Sequence, residues 1–86
     1  MGYKYNYLIE FSEYFSVSTC EEIIEQIDKT YGLNYDKVEK VYDREDRGYA
    51  TYVHICATKE KLRIIREVLD NTGFKDMYDI YSRLVM

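Results

Sequence analysis

The spacing of apolar residues changes several times along this chain, and those changes predict the order of its strands and helices. In residues 3–11 an apolar or aromatic side chain occupies every second position, the period of a strand with one buried face. In residues 20–31 the apolar positions recur every three or four residues, as in a helix with one buried stripe. Ser18 with Glu21 has the spacing of a capping box, and Gly32 suits the end of a helix. We therefore predict a strand and then a helix bounded by these signals.

The second half of the chain repeats this change of period. Two β-like runs within residues 36–57 are joined by a charged tip, residues 43–48, which predicts a hairpin. Thr58 can cap a second helix, and Gly73 can end it. The last ten residues, 77–86, alternate again and predict a final strand.

The predicted order is strand, helix, strand, strand, helix, strand. Two interleaved right-handed β-α-β crossovers in one sheet resemble the ferredoxin-like split fold. The resemblance implies an α+β protein with a four-stranded antiparallel sheet of order 4-1-3-2 and two helices on one face. Eighty-six residues supply one hydrophobic core, so we expect a single domain over residues 1–86. This topology hosts many unrelated functions and does not by itself indicate one.

Because both predicted helices cover the same side of the sheet, each strand has one buried face and one open face. The first strand buries its odd-numbered face, because each aromatic ring there contributes several kcal/mol of gross burial energy. The even-numbered face would instead desolvate Lys4, Asn6 and Glu10. Further strand residues expected inside are Val53, Ile55, Ile80 and Leu84. The open face is predicted to be a mixed aromatic and basic surface formed by Leu8, Ala50, Tyr52, His54, Cys56, Tyr81 and Arg83, with Tyr42 or Val41 from the edge strand.

The motifs needed for catalysis or metal binding are missing from the sequence. Cys20 and Cys56 lack CxxC or Cys/His spacing, so we expect two reduced, mostly buried thiols rather than a disulfide or zinc site. His54 is the single histidine and has no second ligand at a suitable spacing. No glycine-rich phosphate loop is present. We predict that the chain is not an enzyme and uses no cofactor or metal.

Length and charge restrict the partners and the compartment. No apolar run approaches the roughly 20 residues that a membrane helix needs, and the N-terminal residues lack the apolar core of a signal peptide, so we expect a cytoplasmic protein that does not contact a membrane. The formal net charge of −4 disfavours nucleic acid, whose nonspecific binding depends on cation–phosphate contacts. An acidic chain is instead suited to a basic protein surface.

Acidic residues are concentrated on the polar side of the first predicted helix, and tyrosines lie near it in the sequence. Tyrosine provides a large contact area at low entropic cost, and a partner's arginine can stack on its ring. We predict that this surface binds a protein partner through Glu21, Glu22, Glu25, Asp28, Tyr14, Tyr31, Tyr35 and Asp36. In size, acidity and lack of motifs the chain resembles small phage-encoded inhibitors of bacterial defence systems, anti-CRISPR proteins among them. That resemblance implies an inhibitor that occupies the surface of a nucleic-acid-binding host protein.

Two alternatives place the function on the open face of the sheet. RNA-recognition domains share the predicted topology and stack bases on sheet aromatics, so single-stranded RNA or DNA could bind at Tyr52, His54, Tyr81 and Arg83. Exposed apolar patches on small domains also commonly mark protein contacts, and this face could pair two copies in a homodimer.

Overall fold

The computed structural model describes residues 5–43 and 48–82, which form four strands and two helices. The elements are, in chain order, β1 (Tyr7–Phe11), α1 (Val17–Tyr31), β2 (Asn34–Asp43), β3 (Gly48–Cys56), α2 (Lys59–Asn71) and β4 (Tyr78–Ser82). The predicted α+β class and the predicted sequence of elements are confirmed. The charged tip of the hairpin, at residues 44–47, lies outside the described residues.

The strands form one open antiparallel sheet in the order β2-β3-β1-β4. Read from the opposite edge, this order is β4-β1-β3-β2. Each helix therefore connects two strands that lie on either side of a third: α1 links β1 to β2 across β3, and α2 links β3 to β4 across β1. The arrangement is compatible with a ferredoxin-like fold.

The hydrophobic core lies between the helices and one face of the sheet, here called the core face. Ile9 and Phe11 of β1 are at most 1% exposed, which confirms that the odd-numbered face of this strand is inside. Ile80 packs against the same core, and Leu84 lies outside the described residues. The other buried members come from β3, both helices and the segments that follow them: Val53, Ile55, Cys20, Ile23, Ile24, Ile27, Ile65, Leu69, Leu33 and Phe74.

The first strand is shorter than its alternating sequence predicts, since β1 begins at Tyr7. The Asn6 side chain replaces the backbone ladder at this end of the strand. Its Nδ2 donates to the Ala57 carbonyl at 2.9 Å, and its Oδ1 accepts from the Ala57 N–H at 3.0 Å. An asparagine amide competes in this way with strand pairing, because it offers one donor and one acceptor to the backbone.

The prediction that Ser18 caps the first helix is wrong. Ser16 is the N-cap, and its Oγ accepts from the Thr19 N–H at 3.2 Å. A turn that follows β1, closed by the Phe15 N–H donating to the Ser12 carbonyl at 3.1 Å, brings Ser16 to the start of the helix two residues earlier than expected. Ser16 supplies the same hydroxyl acceptor as Ser18 would, so the spacing between Ser18 and Glu21 did not identify the N-cap.

The predicted limits of α2 are confirmed. The Thr58 Oγ1 accepts from the Lys61 N–H at 3.1 Å, and Gly73 has a φ of +94° just beyond the helix. The Phe74 N–H donates to the Leu69 carbonyl at 3.0 Å, the long bond of a Schellman motif. The Phe74 ring is thereby turned into the core, where its centroid lies 5.6 Å from that of Phe11.

Two further features of the fold bear on function. Cys20 is buried as predicted, but Cys56 is exposed, because it ends β3 on the side away from the helices. Neither helix of residues 5–43 and 48–82 is long and apolar enough to cross a membrane.

Candidate interaction surfaces

The acidic side of α1 borders a cleft against β2. This cleft, the α1–β2 cleft, has a volume of about 220 Å³ and is lined by Glu21, Glu25, Tyr35, Lys37 and Val38. At 3.6 residues per turn, positions 21, 25 and 28 lie within roughly 60° of helix surface, so three carboxylates point to one side.

Tyr35 links this acidic surface to the core. It pairs with Ile55 in the ladder, faces the helices and packs against the buried cluster. Burial raises the pKa of its hydroxyl, and the negative charges of Asp28, Glu25 and Glu21 raise it further. The hydroxyl therefore stays protonated beside the carboxylates and can donate a hydrogen bond within the cleft.

Asp28 also has a structural role that its sequence position did not reveal. Its Oδ1 accepts from the Leu33 N–H at 2.8 Å, and its carbonyl accepts from the Gly32 N–H at 2.8 Å. Gly32 has a φ of +77°, as predicted for the residue that ends this helix. The Asp28 carboxylate thus caps the turn that leads from α1 into β2.

The remaining predicted contact residues do not all gather at the α1–β2 cleft. Glu22 lines a different cleft of about 290 Å³, on the flank of α1 that faces the end of α2. Tyr14 is 82% exposed but precedes α1, whereas Tyr31 is the last residue of that helix. Between these two residues the chain runs through α1, which is about 21 Å long because each helical residue rises about 1.5 Å. Asp36 is exposed in the bulge of β2, between Tyr35 and Val38.

The open face of the sheet carries more acid than the sequence indicated. The strand register places Tyr52 opposite Glu10 on β1 and opposite Glu39 on β2. Glu10 in turn stands opposite Asp79 on β4. These four residues, Glu39, Tyr52, Glu10 and Asp79, form one line across all four strands and are here called the acidic row. The described residues of the face thus add three carboxylates to the predicted aromatic side chains, while its predicted basic residue, Arg83, stays a prediction.

A second line of residues runs beside the acidic row. His54 stands opposite Leu8, and Leu8 stands opposite Tyr81, whose ring is 47% exposed. Tyr52, His54 and Tyr81 are therefore brought together on one face as predicted, whereas Arg83 lies outside the described residues. Of the two predicted alternatives on the edge strand, Val41 and Tyr42, Val41 lies on this face, because it pairs with Ala50.

Tyr42 lies on the other side of the sheet, where it forms an aromatic pair that the sequence reasoning missed. It stands opposite Tyr49, and the two ring centroids are 5.1 Å apart at an interplanar angle of 63°. The Lys40 ammonium lies 5.7 Å from the Tyr49 centroid. Both rings are about half exposed because they lie towards the hairpin tip, beyond the buried part of the core face. The hairpin register alone could have identified this pair.

Within residues 5–43 and 48–82 no group of three or more histidine, cysteine, aspartate or glutamate side chains is placed to hold a metal ion. The chain matches no protein-family model, and no significant similarity to a curated protein or a solved structure was found.

Proposed function

We propose that this chain is a non-catalytic interaction module that binds a basic surface of a partner protein. The observation that carries the proposal is the α1–β2 cleft, where Glu21 and Glu25 flank the half-buried ring of Tyr35. A partner's arginine entering this cleft meets two carboxylates and an aromatic face, the groups with which a guanidinium pairs and stacks. We also infer that the split β-α-β arrangement is ferredoxin-like and that the protein acts in the cytoplasm.

The partner class that fits this surface is a nucleic-acid-binding protein of a host defence system. Such proteins carry basic patches for phosphate, and an acidic surface competes for those patches. The small size, the net charge of −4 and the likeness to anti-CRISPR-type phage inhibitors support this class. Inhibition then results from occupying the partner's nucleic-acid site, without chemistry on the partner.

The test compares the proteins captured from a lysate of the native host by three forms of the chain. Glu21→Lys/Glu25→Lys reverses two charges at the α1–β2 cleft and leaves the Asp28 cap intact. Glu60→Lys/Glu67→Lys makes the same change of net charge on exposed positions of α2. We expect a partner that the wild type and the α2 variant retain and the cleft variant loses, identified by mass spectrometry. Equal capture by all three forms would refute the proposed surface.

A purified partner then allows the inhibition itself to be measured. Titration of the wild-type chain should displace labelled nucleic acid from the partner, and the cleft variant should displace it at least about tenfold less well, the loss expected from one or two charge-assisted contacts. A ternary complex that retains the nucleic acid would contradict the inhibitor class while leaving the binding proposal intact.

A further inference from the structure

The acidic row lies on the opposite side of the sheet from the α1–β2 cleft. Its four residues come from four strands about 4.8 Å apart, so the row spans roughly 14 Å. Glu10 and Tyr52 are half-buried and Asp79 is exposed. The two helices pack on the other face, and no helix or strand of the described residues covers this one.

Among the described residues, two carboxylates of this row are direct neighbours without a cation between them. Glu10 and Asp79 are direct cross-strand partners in the antiparallel ladder of β1 and β4. Like charges at such positions destabilise a sheet, because their Cβ atoms are only about 4.5–5.5 Å apart. At the β2 end the Lys37 ammonium lies 3.3 Å from the Glu39 carboxylate. No lysine or arginine of the described residues forms an ion pair with Glu10 or Asp79.

We propose that the open face of the sheet is a second docking surface, which binds an arginine-bearing segment of a partner protein across the acidic row. A guanidinium between Glu10 and Asp79 relieves their repulsion and donates to both carboxylates, and its plane can lie against the adjacent Tyr52 ring. The neighbouring line of Leu8 and Tyr81 provides apolar contact beside the charges. The inference rests on the proposed function, because it takes the partner surface to be basic, and it adds a second site on the opposite face.

The chemistry favours arginine over lysine and protein over nucleic acid. Lysine is a compact, strongly hydrated charge that cannot bridge two carboxylates in a planar fork. A nucleic-acid backbone would place phosphates beside Glu39, Glu10 and Asp79, and this repulsion opposes the base stacking that Tyr52 and Tyr81 could offer.

The experiment is a titration of the ¹⁵N-labelled full chain with a short synthetic peptide of alternating arginine and threonine, followed by amide chemical shifts at low salt. We expect shift changes at Leu8, Glu10, Tyr52 and Asp79. The lysine–threonine peptide of equal charge should bind several-fold more weakly. A single-stranded oligonucleotide should produce no changes at these residues; changes with the oligonucleotide but not with the arginine peptide would overturn the inference in favour of nucleic acid.

Matched variants distinguish this surface from a general effect of negative charge. Glu10→Gln/Asp79→Asn keeps the side-chain shapes and should weaken binding of the arginine peptide about tenfold, as expected for the loss of one or two charge-assisted hydrogen bonds. Glu60→Gln/Glu67→Gln removes two charges from α2 and should change the affinity less than about twofold, since exposed α2 carboxylates contribute only screened attraction. Equal weakening by both variants would overturn the inference.

The peptide titration also separates this inference from the proposed function. Shift changes confined to Glu21, Glu25 and Tyr35 would overturn the docking surface on the sheet and support the α1–β2 cleft. Changes confined to the open face would support the docking surface and count against the cleft. No change anywhere at millimolar peptide would refute both sites as binders of arginine.

Discussion

Thr51 lies on the core face of β3, where its neighbours across the ladders are Phe11 and Lys40. Its side chain is fully buried, and its hydroxyl has no hydrogen-bond partner among residues 5–43 and 48–82. A buried hydroxyl without a partner loses its hydration and gains no protein contact in return, which costs about 1–3 kcal/mol. Sequence alternation predicts that this position is inside, but it does not show whether a threonine there finds a partner.

Thr51→Val should therefore stabilise the protein by about 1 kcal/mol, because valine has nearly the same shape and no hydroxyl to desolvate. Urea denaturation should show a higher midpoint with an unchanged dependence on urea. Thr51→Ala is the matched control and should destabilise, since it also removes the buried methyl group. A lower midpoint for Thr51→Val would mean that the hydroxyl is hydrogen-bonded in solution.

Cys20 illustrates how burial alters the chemistry of a residue. Burial raises the pKa of its thiol from 9.0 to about 11. Because the pKa is higher in the folded state than in the unfolded one, its contribution to stability is complete below about pH 9 and is lost as the pH rises towards about 11. A shift of this size corresponds to roughly 2–3 kcal/mol.

Urea denaturation under reducing conditions across this alkaline range should show the effect. The wild type should lose roughly 2–3 kcal/mol more of its free energy of unfolding than Cys20→Ala does, because only the wild type has a thiol that ionises on unfolding. The cavity in the variant lowers stability by the same amount at each pH and does not alter this difference. Parallel pH dependences would contradict the assignment.

At the scale of the element, the end of α1 depends on contacts that the helix pattern does not contain. Asp28 accepts from the Leu33 N–H, and the Lys61 Nζ donates to the Tyr31 carbonyl at 2.6 Å. Lysine at a helix C-terminus also interacts favourably with the helix dipole. The predicted glycine therefore acts together with a carboxylate of the same helix and an ammonium from α2.

Asp28→Ala should destabilise the protein by about 1–2 kcal/mol, because it leaves the N–H of the buried Leu33 without its acceptor. Asp28→Asn is the matched control: it removes the charge, keeps an acceptor oxygen and should retain most of the stability. Thermal or urea unfolding measures both. Equal losses in the two variants would show that the charge, and not the hydrogen bond, is what matters. A charge reversal at Asp28 would therefore lower the stability of the fold as well as change the charge of the proposed binding surface, so it could not test binding alone.

Element types were predictable because they depend on local patterns, whereas element ends were predictable only in part. Thr58 caps α2, and Gly32 and Gly73 follow the ends of α1 and α2, as predicted, since helix capping involves residues within one turn. Asn6 shortens β1 by bonding to Ala57, 51 residues away, and no local pattern contains that contact. Ser16 replaces Ser18 as the cap because the preceding turn determines where the helix begins.

At the scale of the molecule, the charges of the described residues oppose pairing of two copies through their open faces. Such a dimer would bring together two sets of the Glu10, Glu39 and Asp79 carboxylates, and this repulsion is strongest at low salt. We expect light scattering to give the mass of one chain at low salt and high protein concentration. Glu10→Gln/Asp79→Asn should associate at least as readily as the wild type. A stable wild-type dimer at low salt would instead favour the homo-oligomer alternative.

The sequence alone determined the order of the elements, the buried face of β1 and the concentration of acids on α1. These properties follow from periodicity and from neighbours one or two turns apart, which can be read along the chain. Only the tertiary structure placed Glu39, Tyr52, Glu10 and Asp79 in one row. A row across a sheet depends on the register of three ladders between distant segments, and a shift of one residue in any ladder would move its members to the other face.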